Sequence, residues 1–290
     1  MTRSPADRVG EPAERIVLVG GHESRDGADL DSLITADRSM VAAGTGRGLT
    51  QSVESALDAG ESVTVLPMTF GRDPVLVAET AKALHWIRER RTGRILLAPQ
   101  FGTTDHLIAL LRGAGIRLQR QRPGAALVIA ADASDNFNDA ELHRVAHLVR
   151  ADSSVPEVTV ALLRPGRDTL GDIADRLSRL GHTVSGVAPA GFAAATELPA
   201  NDGHAMTWCG PLMRDNAVRR VIAERVMAAH HAHRHGDDGI AAALGADHEH
   251  GYAHSHDDVA GHGHGHGHGH GHSHPTPAGK DRHGLSQTAV

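Results

Sequence analysis

Short, continuously apolar runs recur along the chain, each rich in β-branched or small aliphatic residues and most of them closed by glycine or proline. They fall at 15–21 (RIVLVGG), 62–67 (SVTVLP), 94–99 (RILLAP), 126–132 (ALVIAAD), 157–163 (EVTVALL) and 183–189 (TVSGVAP). Consecutive rather than alternating apolar positions mark strands covered on both faces. Between them, 74–91 (PVLVAETAKALHWIRERR) and 170–181 (LGDIADRLSRLG) repeat their apolar residues at helical spacing. Strand and helix therefore alternate, which predicts an α/β fold with parallel sheets flanked by helices.

The pattern also repeats on a longer scale. An offset of about 110 positions lays Val17-Leu18-Val19 on Leu127-Val128-Ile129, Ser24 on Ser134 and Asp29 on Asp139. The same offset lays Asp105-His106-Leu107-Ile108 on Asp215-Asn216-Ala217-Val218, whereas Pro67 and Pro189 stand further apart. The expected organisation is two tandem related units, 15–122 and 123–229, after a polar leader over 1–14 that is expected to be disordered. Beyond Ala229 the composition changes to HHAHRH, HEHGYAHSH and alternating Gly-His from Gly261 to His272. Such a segment has no apolar face, so 230–290 is expected to be a disordered histidine-rich tail.

Composition narrows the function classes. Hydrophobic residues make up 40% of the 290 residues but aromatics only 2%, so the core must be aliphatic. A net charge of −6 without a basic cluster excludes a nucleic-acid footprint. No apolar run approaches the roughly 20 residues that span a bilayer, and no segment has signal-peptide character. A cytoplasmic protein with no membrane partner is expected. The single cysteine, Cys209, cannot pair within the chain and reads as a small core residue.

Candidate chemistry lies first in the tail. Imidazole ligates divalent transition metals, and His262, His264, His266, His268, His270, His272 and His274 belong to the Gly-His tract and the serine-histidine step after it. A second candidate is the turn Gly20-Gly21-His22-Glu23-Ser24-Arg25-Asp26-Gly27. It follows the first strand, and open α/β sheets bind ligands at the carboxyl ends of their strands. His22 there could ligate metal or accept a proton. His106 follows another turn and could face the same cleft. Gly44-Thr45-Gly46-Arg47-Gly48 lacks the lysine and hydroxyl of a phosphate loop and reads as a plain loop. His143 and His147 stand four apart in a predicted helix, with nothing nearby to complete a metal site.

The opening turn, from Val19 to Asp26, resembles the glycine-histidine-glycine-serine-arginine turn of the class II tetrapyrrole chelatases, the CbiX-type sirohydrochlorin cobaltochelatase and ferrochelatase group. Further similarity lies at Leu66-Pro67 with Gly71, at 102–107 (GTTDHL), and at Ser134-Asp135 with Asn138-Asp139. The resemblance implies two chelatase-like halves around a cleft and insertion of a divalent metal, cobalt first with iron or nickel as alternatives, into a sirohydrochlorin-type tetrapyrrole. That is a lyase-class step of cobalamin or siroheme biosynthesis. Metal and tetrapyrrole are then substrates, and no organic cofactor is expected. The family places two histidines on the metal. His22 matches the first, while Asp73 stands in place of the second, Glu23 replaces a glycine, Asp132 aligns with His22 in the second half, and no histidine follows Pro189. The resemblance thus implies His22, Glu23 and Asp73 as the catalytic set, with His22 and Asp73 on the metal. Arg25, Arg72 and His106 are expected at the substrate, the arginines facing its carboxylates. An inactive metal chaperone or store is the alternative.

Overall fold

The computed structural model describes residues 13–151, 153–199 and 203–244. The Gly-His tract, from His262 through His274, and the leader up to residue 12 lie outside the described residues. Eight strands form two four-stranded parallel sheets. The first contains β1 (Glu14–Gly20), β2 (Met40–Gly44), β3 (Ser62–Met68) and β4 (Ile95–Leu97) in the order β2-β1-β3-β4. The second contains β5 (Ala126–Asp132), β6 (Val158–Leu163), β7 (Val184–Pro189) and β8 (Ala205–Trp208) in the order β6-β5-β7-β8. The expected α/β class and the two related units are therefore present with one shared topology.

Helices α1 (Asp31–Thr35), α2 (Arg47–Asp58), α3 (Pro74–Arg88) and α4 (Thr104–Gln121) belong to the first half of the sequence. Helices α5 (Asn136–Ala151), α6 (Thr169–Arg179), α7 (Asp215–Arg234) and α8 (Ile240–Ala243) belong to the second. Alternation along each central strand sorts its side chains between layers. Val17 and Val19 pack under α2 and α3 with Leu49, Val53 and Leu84. Leu18 points the other way, into a cluster shared with Leu127 and Ile129 of β5. Ala126, Val128 and Ala130 face Leu170 and Leu177 of α6.

The two units are not self-contained. Helix α4 packs on α5, β5 and β7, while α7 packs on α1, β3 and β4. Each half covers the inner face of the other half's sheet with its own long helix. The expected cut at 122 therefore separates sequence repeats, not folding units. The shared cluster follows from this exchange: Leu111, Leu118, Ile222 and Val226 are all buried in it.

The expected boundary after Ala229 is also corrected. Helix α7 continues to Arg234, because Ala229 is still buried and His230 reaches Glu14 through Nε2 at 2.6 Å. Beyond it, the Leu97 N–H donates to the Asp238 carbonyl at 2.9 Å, Arg88 pairs with Asp238, and Ile240 is fully buried beside Leu84 and Ile87. The glycine-rich segment at 44–48 differs from expectation too. Gly44 closes β2, Gly46 caps α2 at φ 69°, and Arg47 and Gly48 are helical. Sequence periodicity missed β2 and β8, both short edge strands. Among the described residues no helix is long and apolar enough to cross a membrane.

Candidate active site in the cleft between the halves

The carboxyl ends of β1 and β5 open on one cleft. His22, Arg25 and Asp29 line it from the first half. Asp132, Gly191 and Trp208 are among the residues that line it from the second. The turn after β1 is tight. Gly20 packs against the backbone of Gly27, so that a Cβ there would clash, and Arg25 and Asp26 both take left-handed backbone conformations at φ 50° and 54°. Non-glycine residues rarely hold that conformation without support. Support comes from the Ser24 and Asp26 N–H groups, both donating to the Gly21 carbonyl at 3.0 Å.

His22 is the centre of the site. Its Nδ1 lies 2.9 Å from Asp73 Oδ2, and its Nε2 is buried with no hydrogen-bond partner. Asp73 is fixed in turn as the N-cap of α3. Its Oδ1 accepts from the Leu76 N–H at 3.0 Å, and Pro74 occupies the first helical position. Burial alone would raise the Asp73 carboxyl. The hydrogen bond and charge of His22, with the Leu76 N–H, outweigh burial and hold it below the ordinary carboxylate range. An ionised Asp73 makes Nδ1 the donor, which leaves the Nε2 lone pair of a neutral His22 free. Both oxygens of Asp73 are thus engaged within the protein, and the carboxylate orients the imidazole.

Glu23 does not join this pair. Its carboxyl is buried in the first half, accepting from the Thr69 hydroxyl and from the Phe70 N–H at 3.1 Å. Burial pushes it above its usual range, against the opposing pull of Arg72, Thr69 and Phe70. Its backbone carbonyl accepts from the Phe192 N–H at 2.9 Å, tying the two halves together.

The proposed substrate residues separate. Arg25 lines the cleft, pairs with Asp29 and feels the charge of Asp132. Arg72 is only 1% exposed and does not line the cleft. Its Nη1 donates to the Ala190 carbonyl at 3.1 Å, while Nε and Nη2 have no partner. Burial pulls its guanidinium below the usual value against the attraction of Glu23, Asp139 and Asp73. It is a buried link between the halves. His106 sits in the capping box of α4 with Thr103 and lines a separate apolar groove with Phe101 and Arg225. Asp132 reaches the cleft from the position aligned with His22. His143 and His147 are exposed on α5. Cys209 is half-buried, and burial pushes its thiol up to about 11, so it stays protonated at neutral pH. Among the described residues no group of three or more histidine, cysteine, aspartate or glutamate side chains could hold a metal ion.

Sequence reasoning missed the segment after β7. Phe192 stacks on Phe70 with ring centroids 5.1 Å apart and meets Phe101 edge-on, and the Trp208 indole donates to the Ala194 carbonyl at 3.0 Å. These contacts bring 190–196 across the cleft. The orienting role of Asp73 was legible in principle, since aspartate before proline is a helix-start signal.

No protein-family model matches the sequence, and no curated protein does. Solved structures do match. SirB from Bacillus subtilis with Fe3+ is 13% identical, with 79% of this chain and 98% of that chain covered at a TM-score of 0.51. The sirohydrochlorin chelatase SirB from Bacillus subtilis subspecies spizizenii, in complex with cobalt, is 11% identical, covering 77% and 96% at a TM-score of 0.45. A multi-domain protein from Deinococcus radiodurans with structural similarity to chelatases is 15% identical, covering 74% and 55% at 0.43. The first of these likenesses establishes a chelatase-like fold over the described part of the chain. At such identity it transfers no residue roles.

Proposed function

We propose that the cleft inserts a divalent transition metal, cobalt foremost, into a sirohydrochlorin-type tetrapyrrole. The observation that carries this reading is the state of His22, a residue that lines the cleft: one ring nitrogen is held by Asp73, and the other is buried and unpartnered. A carboxylate behind a histidine fixes the tautomer and raises the basicity of the remaining nitrogen, the arrangement that presents imidazole to metals. His22 Nε2 would hold the incoming ion, and the rest of its coordination would come from water exchanged for macrocycle nitrogens. Removal of the two pyrrole protons needs an acceptor, and Asp132 across the cleft is a carboxylate at the right boundary. Arg25, at the same wall, suits a carboxylate of the macrocycle, although Asp29 already binds it.

The test follows the absorbance of the tetrapyrrole on adding Co²⁺, with and without protein, under reducing conditions. Acceleration by the intact protein that disappears in His22→Ala supports the proposal. Absence of acceleration with Co²⁺, Fe²⁺ and Ni²⁺ sinks it. Asp73, standing where the resembling family places its second metal histidine, favours one second reading, a chaperone or store that holds metal without inserting it. That reading is supported if metal binds and no insertion follows.

A further inference from the structure

We propose that the end of α7 carries a surface site for one divalent transition-metal ion, chelated by His231 and His235. The sequence HHAHRH from His230 to His235 is the last turn and C-cap of a long helix, so its spacing has geometry. Residues four apart lie on one helix face. The rings of His231 and His235 do meet there, with centroids 4.8 Å apart at an interplanar angle of 63°. Both residues are exposed, so an ion can reach them without burial of charge. The carbonyl end of the helix also favours a cation.

Neighbouring histidines help to define the site. His230 is turned away, with Nε2 on Glu14. His233 is two residues from each partner and therefore about 200° around the helix. His143 and His147 share the spacing on α5, but among the described residues the histidine ring contact is that of His231 and His235. Two imidazoles suit nickel, copper or zinc, and water completes the shell of a site with fewer than three protein ligands.

Arg234 sets the affinity. Its Nη2 lies 3.2 Å from His231 Nδ1, and a guanidinium can only donate. Nδ1 is therefore the acceptor, and in a neutral ring the proton sits on Nε2. Metal on Nδ1 must displace Arg234. Metal on Nε2 requires the proton to move to Nδ1, which breaks the same contact. This site is independent of the cleft and of any tetrapyrrole chemistry.

The test uses the full-length chain with every histidine from His248 onward replaced by asparagine and with His22→Ala, titrated with Ni²⁺ or Zn²⁺ by calorimetry. One equivalent is expected. His231→Ala and His235→Ala should each weaken it about tenfold or more, because each converts a chelate to a single imidazole. His233→Ala should leave the affinity unchanged, and Arg234→Ala should tighten it. No binding at all, or retained affinity in either His231→Ala or His235→Ala, overturns the proposal.

Discussion

Nδ1 of His22 and Oδ2 of Asp73 are 2.9 Å apart although the residues stand on separate turns, after β1 and β3. Two neighbouring strands of one sheet thus deliver an imidazole and its orienting carboxylate to the same point. Asp73→Asn tests which nitrogen matters. Asparagine can still cap α3 through its amide oxygen, but its NH₂ would face Nδ1 and force the His22 proton onto Nε2. Nε2 then carries an N–H and has no free lone pair. Metal insertion should fall by about 10–100-fold with little change in melting temperature. Asp73→Ala should cost about 1 kcal/mol of stability in addition, through the lost cap. An Asp73→Asn protein with full activity would disprove the orienting role.

Glu23 gives a pH prediction of opposite sign to the usual carboxylate. Its folded value is raised by burial, so between the unfolded and folded values the native state binds more protons than the unfolded state. Stability attributable to this group is then full below the unfolded carboxylate value of about 4.3 and declines as pH rises towards the folded one. Glu23→Gln retains an acceptor for Thr69 and Phe70 but cannot ionise. Denaturant midpoints measured across that range should fall less steeply in the variant than in the wild type. Identical pH profiles would show that Glu23 is already charged when folded.

The central strands and the repeat were legible because burial on both faces writes itself as unbroken apolar runs: β5 was read to the residue. Two of the four edge strands, β2 and β8, were not. Met40–Gly44 and Ala205–Trp208 are short and only partly covered, so their apolar runs, Met40 to Ala43 and Ala205-Met206, are too brief to stand out. The position of His22 was readable from the glycines around it. The engagement of Glu23 and the burial of Arg72 were not, because both depend on contacts with residues 46 and 118 positions away in sequence. The continuation of α7 was hidden by histidine, whose composition signals a tail even where the backbone is helical and Ala229 still packs.

The C-terminal boundary is open to direct test. Truncation after Leu244 keeps every described contact. Truncation after Ala229 removes Ile240 from the core, the Asp238 carbonyl from the Leu97 N–H, and His230 from Glu14. Loss of a fully buried isoleucine alone is worth about 1.5–3 kcal/mol. The shorter chain should therefore melt several degrees below the longer one, and Ile240→Ala in the full chain should reproduce about 2–5 kcal/mol of loss. Equal melting temperatures for the two truncations would show that 230–244 adds nothing to the fold.

Gly191 brings the backbone of the second half against that of Glu23 in the first, and it supplies the last prediction. Its φ is not left-handed, so conformational freedom is not the reason for glycine at this position. Space is the reason: a Cβ would run into the carbonyl oxygen and carbon of Glu23. That carbonyl belongs to the strained turn that carries His22, and the next residue, Phe192, donates its N–H to the same oxygen. Neither backbone can yield without moving the cleft wall. Gly191→Ala should thus cost about 1–3 kcal/mol, as overpacking does, seen as a lower denaturant midpoint with an unchanged slope. It should also reduce metal insertion by more than the fraction of unfolded protein explains, because relief of the clash shifts His22 relative to Asp132. Phe192→Ala separates the two effects, since it removes ring packing on Phe70 and Phe101 but leaves the backbone contact intact. That variant should lose stability while its folded fraction keeps its insertion rate. If Gly191→Ala is as stable and as active as the wild type, the halves are not held at this contact.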